Sequence, residues 1–361
     1  MSSAAPVSSP WIVSRAQDLL WFQGSVLAGI VLMAAFLALP PLSQGTYTAA
    51  HPAVWLLLFW GVVFDGTHVM ATYARTYFAP DDRSKAALPG RSSLLWLFLG
   101  PAVAVADAAI CAPQPSVVGH SGALFNTFLA AAYVWAYYHL TRQHYGFLCL
   151  YRRKQGEASS LAAPDALFLW AGSAYPFLRY SLGDEYKASG LPMLLPETWL
   201  PALRVGLDAA MAVVVAIALA ACVKRIMRGE GLGPKHLFLA IVVGFNNLAF
   251  ALLGNLLVIT AVLTIFHNLQ YHRIVWQYER GMGRVPMRSI ALYAAAGLAL
   301  GIVWYGPRVL GVAEAQGDLV RNVLIGLGWG VAFHHYHIDA RIWRVRKQPV
   351  VQESLERGAS A

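Results

Sequence analysis

The chain has 361 residues, of which 58% are hydrophobic and 12% are charged, and its formal net charge at pH 7 is +9. Apolar runs recur along the whole length, so the composition excludes a soluble globular enzyme and predicts a polytopic membrane protein. The positive charge could indicate a nucleic-acid partner, but the basic residues stand at the ends of apolar segments, where they orient membrane helices. We therefore expect membrane lipids, and no nucleic acid, among its partners.

A membrane-spanning helix needs about 20 residues to cross an apolar core of about 30 Å, and the chain has room for nine or ten such helices. The weakest boundary lies at Gly254 and Asn255. We expect an all-α transmembrane bundle over 19–347, a cytoplasmic segment over 1–18 and a disordered cytoplasmic tail over 348–361. The predicted spans are 19–40, 53–78, 93–111, 122–150, 163–182, 199–223, 236–252, 255–279, 289–306 and 319–345.

The loops differ strongly in charge. If the N-terminus is inside, the loops near 41–51, 112–120, 183–198 and 307–318 carry little basic charge beyond Lys187 and Arg308. The excess of positive charge on the other side predicts that this side is the cytoplasm, with the chain in the cell inner membrane. The residues collected there are Arg83, Lys85, Arg91, Arg152, Arg153, Lys154, Lys224, Arg225, Arg228, Lys235, Arg280, Arg284, Arg288, Arg344, Arg346 and Lys347.

Eight of the 11 histidines fall in four clusters, each near one end of an apolar segment. In the predicted topology the second, fourth, eighth and tenth helices all end in the cytoplasm, so the clusters share one membrane depth. Imidazole is costly to bury in a membrane without a partner, and this pattern predicts a metal site. His51, His120 and His236 lack the pattern. The candidate ligands are His68, His139, His144, His267, His272, His334, His335 and His337.

Two carboxylates accompany the histidines. Asp65 lies three residues before His68, and Asp339 lies four residues after His335, so each pair shares a helix face. We expect both carboxylates to bridge or orient metal ligands, and Tyr336 to be a third candidate catalytic residue. The alternative for Asp65 and His68 alone is a buried hydrogen bond that fixes helix packing.

The second and third clusters have the same spacing. His139 and His144 are five positions apart, as are His267 and His272. Five positions turn a side chain by about 140° on a regular helix, so the members of a pair cannot easily bind one ion. They could instead reach two ions, or one histidine could bind while the other orients a neighbour.

Ligation by several imidazoles and one or two carboxylates suits iron, copper or zinc and argues against magnesium or calcium. With iron, most readily two ions, the expected chemistry is attack on an unreactive C–H bond by dioxygen, in a lipid or another apolar small molecule. The sequence has no GxGxxG motif, P-loop or cysteine cluster. Electrons would therefore come from an external ferredoxin, cytochrome or reductase bound at the basic cytoplasmic face.

Eight clustered histidines at the cytoplasmic ends of membrane helices resemble the plan of the integral membrane di-iron superfamily of fatty-acid desaturases, alkane hydroxylases and sterol oxidases. That superfamily shows an HxxxH or HxxxxH box and two HxxHH boxes, whereas this chain has two five-residue spacings and an HHxH. The resemblance implies an oxygenase, either a hydroxylase or a desaturase. Its iron ligands would be His139, His144, His267, His272, His334, His335 and His337, with His68 completing the set.

Two other classes of protein remain open. A haem protein for electron transfer or for nitric oxide or oxygen reduction is one, because the string HHY is similar to one in haem-copper reductases and oxidases. A divalent metal transporter is the other, and it would need polar residues continuing across the membrane. The candidates for such a path are Asp107, Asn126, Asp208, Asn246, Asn247 and Asn255.

Overall fold

The structure, a computed structural model, describes residues 9–43, 46–79, 91–116, 119–157, 163–193, 195–343 and 348–360. Within these ranges the regular secondary structure is helical apart from one hairpin, in which β1 (Gln114–Ser116) pairs antiparallel with β2 (Gly119–Ser121). The predicted all-α class is therefore confirmed. Five of the residues assigned above to the cytoplasmic face lie outside the described residues, namely Arg83, Lys85, Arg344, Arg346 and Lys347.

Each predicted span corresponds to a helix in the described part of the chain. Two further helices, α6 and α12, are shorter. In chain order the helices are α1 (Arg15–Leu37), α2 (Pro52–Thr76), α3 (Ser93–Ile110), α4 (Ala123–Lys154), α5 (Pro164–Ser181), α6 (Asp184–Ala188), α7 (Leu200–Met227), α8 (Pro234–Leu252), α9 (Leu256–Gly281), α10 (Ile290–Glu314), α11 (Asp318–Ile342) and α12 (Pro349–Ser360).

Six of the described helices, α1, α2, α3, α7, α8 and α10, are long and apolar enough to cross a membrane. The chain is therefore of the membrane class, while a total of nine or ten crossings stays a prediction. Three of the other long helices, α4, α9 and α11, carry most of the clustered histidines. Most residues of α9 are buried by other helices. Little of its surface would therefore contact lipid, and α9 can carry polar residues that a lipid-facing helix could not.

The predicted break at Gly254 and Asn255 is confirmed. Helix α8 ends at Leu252, and the side chain of Asn255 accepts hydrogen bonds from the backbone N–H groups of Leu257 (3.0 Å) and Val258 (3.2 Å). An asparagine in this position satisfies two of the unpaired amides at a helix start. The sequence therefore ends one helix and begins the next without a long loop.

Close helix contacts depend on small residues. A Cβ atom on Gly66 of α2 would collide with the backbone of Gly301 in α10, and one on Gly100 of α3 would collide with Gly326 in α11. Small residues let membrane helices approach closely enough to gain van der Waals contact along their backbones. These contacts pack α2 closely against α10 and α11 closely against α3. Both α2 and α11 carry clustered histidines.

The C-terminal segment differs from the expected disordered tail. Residues Pro349–Ser360 form α12, which packs against α9 with Val351 and Leu355 buried. The side-chain amide of Gln277 donates a 2.7 Å hydrogen bond to the Leu355 carbonyl. The physical reason is that Val351 and Leu355 are four residues apart and form one apolar helix face, although the segment as a whole is polar.

Candidate metal centre

Four side chains from three helices converge in the interior of the bundle. His68 of α2, His139 of α4, and His335 and Asp339 of α11 each offer one ligand atom, and these atoms all lie within 4.8 Å of one another. His267 of α9 adds a fifth candidate, because its Nε2 lies 3.3 Å from the Nε2 of His68. Each of the four predicted histidine clusters thus contributes to a single group.

The separations between these atoms suit one ion. Ligands held at about 2.1 Å from a metal lie about 3.0 Å apart when they are at right angles and about 4.2 Å apart when they are opposite. The Nε2 atoms of His68 and His335 are 2.9 Å apart. The Oδ2 atom of Asp339 lies 3.7 Å from the Nε2 of His335 and 4.0 Å from the Nε2 of His139.

Asp339 is fixed so that one carboxylate oxygen faces the histidines. Its Oδ1 atom accepts hydrogen bonds from the hydroxyls of Thr72 (2.9 Å) and Tyr271 (2.7 Å). Its Oδ2 atom is the one directed at His139 and His335. The two hydroxyls therefore hold the carboxylate in an orientation that favours ligation through Oδ2.

Thr72 also sets the proton position on His335. The threonine hydroxyl has one proton, which it donates to Asp339, and its oxygen lies 2.9 Å from the Nδ1 of His335. The Nδ1–H of His335 is therefore the donor in this second contact, and the Nε2 keeps a lone pair directed at the other histidines. This tautomer is the one that binds a metal through Nε2.

Several ring nitrogens in the group are buried without hydrogen-bond partners. Among the described residues these include the Nδ1 atoms of His68 and His267 and the Nε2 of His139. A neutral imidazole carries one proton, so three rings whose Nε2 atoms converge cannot all be satisfied by one another. A cation among these lone pairs would satisfy the converging Nε2 atoms, including that of His139, and the single carboxylate would offset part of its charge.

No protein family, curated protein or solved structure matches the chain. Four neutral imidazoles and one carboxylate form a nitrogen-rich set that suits a divalent transition metal ion. The described residues therefore include a possible metal site.

Asp65 lies beside the metal group and outside it. Its carboxylate accepts hydrogen bonds from the Tyr305 hydroxyl (2.5 Å) and from the Asn268 side-chain amide (3.2 Å). It ends a π-helical segment, Gly61–Asp65, in the middle of α2. Such a segment inserts an extra residue into a helix and re-aims the side chains around it, here directly before His68.

Four of the predicted ligands are not brought into the group. His272 contacts the hydroxyls of Tyr293 (2.6 Å) and Thr67 (3.1 Å). His334 contacts the hydroxyls of Tyr73 (3.0 Å) and Tyr77 (3.2 Å). The other two are His144, which packs against Phe238 and Phe266, and His337, which lies half-buried near Trp96.

Tyr336 contacts the group through its ring. The ring stacks on His139 with centroids 4.2 Å apart and an interplanar angle of 23°. This stacking limits rotation of the imidazole and so supports its orientation. A catalytic role for the Tyr336 hydroxyl stays a prediction.

The histidines that were excluded from the site have local partners instead. His51 accepts a hydrogen bond from the Ala53 amide at the start of α2, and His236 does the same for the Gly233 amide at the start of α8. His120 lies beside Asp318 near the hairpin, with 3.5 Å between the His120 Nδ1 and the Asp318 Oδ2. All three stabilise helix starts or connections.

The residue that sequence reasoning missed is Thr72. It lies four positions after His68 and therefore on the same helix face, which is the signal that could have identified it. Its hydroxyl contacts His335, Asp339 and Tyr271. Buried threonines are common in helices, so the spacing alone is a weak signal. It identifies Thr72 as part of the site only when its partners on α9 and α11 are known.

Proposed function

We propose that this chain is an integral membrane oxidoreductase that binds one iron ion through His68, His139, His267, His335 and Asp339 and uses dioxygen to oxidise an apolar substrate. The observation that carries the proposal is the convergence of the five ligand atoms from four helices in a buried position. Imidazole and carboxylate ligands suit non-haem iron. When bound, iron would supply the electron-transfer chemistry that amino-acid side chains lack.

One ion is a better fit than two. The ring nitrogens of His272 and His334 contact tyrosine and threonine hydroxyls, so these two histidines are engaged elsewhere. Five candidate ligands also exceed the four that zinc usually takes in proteins, whereas iron accepts five or six. We therefore favour a single iron over zinc, and over the two ions that the sequence predicted.

The residues around the site would exclude water and hold the ligands in place. His68, His267 and His335 are each at most 2% exposed. Thr72 and Tyr271 hold Asp339, and the Tyr336 ring holds His139. An apolar substrate, such as a lipid, would enter this interior more readily than a polar one, because it loses no hydration on burial.

Aromatic residues offer a route for electrons toward the end of α11. The indole N–H of Trp343 lies 3.1 Å from the Tyr271 hydroxyl, which in turn donates to Asp339. Trp343 follows the last residue of α11, and the Arg75 guanidinium lies 3.7 Å from the centre of its ring. We propose that an external ferredoxin, cytochrome or reductase delivers electrons at this end.

A haem protein fits the geometry less well. A porphyrin supplies four ligands from its own ring and leaves two positions, on opposite faces, for the protein. The Nε2 atoms of His68 and His335 are 2.9 Å apart, so both rings lie on the same side of a shared centre. Five converging protein ligands leave no space for the macrocycle between them.

Cation transport is also disfavoured. Asp107 and Asn255, two of the polar residues that could have formed a path, accept hydrogen bonds from backbone amides at the starts of α4 and α9. Asn246 accepts one from the Tyr137 hydroxyl. Arg308 lies beside Tyr305 and would repel a cation that approached Asp65 from that side.

The test is a single-turnover oxidation. Purified protein in lipid nanodiscs is loaded anaerobically with ferrous iron, mixed with a membrane lipid extract and long-chain carboxylic acids, supplied with reduced ferredoxin, and exposed to isotopically labelled dioxygen. The ferredoxin is needed because either oxidation consumes two electrons and two protons together with dioxygen and forms water as the other product. Mass spectrometry of the extracted organic molecules should show insertion of a labelled oxygen atom or loss of two hydrogen atoms. The wild type and His337→Ala should both give product, whereas His335→Ala should give none.

His337 is a matched control because it stands two residues after His335 on the same helix and outside the metal group. Equal product from the wild type and His335→Ala would contradict the proposed site. Iron-loaded wild type that neither consumes dioxygen nor yields product would contradict the proposed reaction.

A further inference from the structure

A cavity of about 610 Å³ lies among the same helices that carry the metal group. Its wall includes Trp60 of α2, Tyr133 of α4 and Trp329 of α11, each of which precedes the metal-group histidine of its helix. Tyr133 lies six positions before His139, and Trp329 lies six positions before His335, a rise of about 9 Å along the helix. The cavity is therefore on the N-terminal side of these helices, away from the basic ends of α4 and α9.

Arg308 provides the positive charge of the cavity wall. Its guanidinium lies 5.2 to 5.6 Å from the centres of the rings of Trp304, Tyr305 and Trp329. In the described part of the chain it has one hydrogen bond, to the Tyr305 hydroxyl at 3.3 Å, and no ion pair. Most of its N–H donors are thus free to bind a ligand.

The rest of the wall is mainly apolar. It includes Leu57, Leu129, Val309 and Ile325, and the one acidic residue lining it is Glu185. Arg308 is the one cationic residue in the described lining, and no ion pair engages its guanidinium, so it is the group there that would bind a negatively charged ligand. An arginine fork pairs with a carboxylate through two parallel hydrogen bonds.

The size of the cavity also selects the ligand. Sites for one small molecule typically have volumes of about 300–1,000 Å³. A two-chain phospholipid is too large for this space. A smaller void of about 20 Å³ shares Tyr133 and Leu256 with the cavity wall and reaches Leu140, the neighbour of His139. The smaller void thus shares part of its lining with the cavity and lies beside α4.

We propose that the cavity binds a single-chain amphiphile with one carboxylate, whose head group pairs with Arg308 and whose hydrocarbon chain lies along the apolar wall. Binding at this site stands on the cavity and on Arg308. That the bound molecule is the substrate of the metal group rests on the proposed function.

The experiment measures binding of a long-chain carboxylic acid, and of the alcohol of the same chain length, to purified protein in nanodiscs. The acid should bind at least about tenfold more tightly than the alcohol, since a charge-assisted hydrogen bond is lost with the carboxylate. Arg308→Gln should abolish this preference, whereas Arg308→Lys should keep part of it. Lys187→Gln is the control, because Lys187 pairs with Glu197 in the same loop region as the cavity wall.

Equal affinities for acid and alcohol in the wild type, or an unchanged preference in Arg308→Gln, would overturn the proposal. If Arg308→Gln does not fold, the wild type is labelled with a photoreactive long-chain acid, and the labelled residues are identified by mass spectrometry. Labels on Leu57, Leu129 or Ile325 support it, and labels confined to lipid-facing helices such as α7 contradict it. Displacement of the acid by an anionic phospholipid, and not by other acids, would also contradict it.

The same binding assay on His335→Ala separates the two proposals. If His335→Ala loses the metal and still binds the acid, the cavity is a ligand site whether or not the metal group is intact. Metal-dependent oxidation without any preference for the acid would leave the proposed function intact and refute the ligand site.

Discussion

The Nε2 atoms of His68 and His335 lie 2.9 Å apart although 267 positions separate the two residues in the chain. The contact joins the last third of α2 to the last third of α11 inside a hydrophobic bundle. Two neutral imidazoles can share one proton, but the Nε2 of His267 also lies 3.3 Å from that of His68. The three rings together are better explained by a bound cation than by mutual hydrogen bonds.

The two predicted carboxylates should differ in their effect on metal binding. Asp339→Asn replaces the oxygen directed at His139 and His335 and should lower metal affinity by at least about tenfold. Asp65→Asn should retain the metal, because Asp65 is bonded to Tyr305 and Asn268 outside the group. Metal titration of both variants in detergent checks this. An equal loss of metal affinity in the two variants would show that Asp65 contributes to the metal group as much as Asp339 does.

Thr72 should contribute to metal affinity without binding the ion. Thr72→Val keeps the shape of the side chain and removes the hydroxyl that contacts His335 and Asp339, so metal affinity should fall about 10- to 100-fold. Thr76→Val is the control, since the Thr76 hydroxyl bonds to the Thr72 carbonyl within the same helix. An unchanged affinity in Thr72→Val would refute the proposed tautomer of His335.

A buried ion-pair network at the start of α8 should stabilise the fold. Lys235 is 3% exposed, lies 3.1 Å from Asp165 and also pairs with Glu157. Lys235→Met removes a positive charge that pairs with both carboxylates and should lower the free energy of unfolding by about 3–5 kcal/mol. Thermal unfolding in detergent measures the change.

The control for this network is Lys187→Met. Lys187 pairs with Glu197 at the surface, where the loss should be at most about 1 kcal/mol. A similar decrease in the free energy of unfolding in the two lysine variants would mean that the Lys235 network stabilises the fold no more than a surface ion pair does.

Helix α12 should detach when its contact with α9 is obstructed. A Cβ atom on Gly281 would collide with the Ser354 backbone, so Gly281→Val should expose α12 and speed trypsin cleavage after Arg357. Gly146→Ala is the matched control, because nothing lies within 4 Å of a Cβ atom there. Equal cleavage of wild type and Gly281→Val would indicate that α12 is not held against α9.

The sequence predicted the helices well because long apolar runs and their flanking charges are local signals. The break at Asn255 was also predictable, since an asparagine that caps a helix acts on its own neighbours. The C-terminal helix was missed because its stability depends on α9. An apolar pair such as Val351 and Leu355 gives a weak signal in a polar segment until the surface that it contacts is known.

The convergence of the four histidine clusters was predicted, and the choice within each cluster was not. A five-residue spacing turns a side chain by about 140°, so one member of each pair had to face elsewhere. The structure directs His139 and His267 inward and leaves His144 and His272 outside the group. Helix rotation decides this choice, and rotation depends on packing between helices that are distant in the chain.

The most direct test of the account is the metal content of the purified protein, measured by elemental analysis together with an optical spectrum of the same sample. The account predicts about one iron per chain without haem absorption, loss of that iron in His335→Ala and retention in His337→Ala. The loss in His335→Ala should occur in a protein that still elutes as a folded species. Equal metal content in the wild type and both variants, or a wild type that binds no transition metal after anaerobic purification, would contradict it.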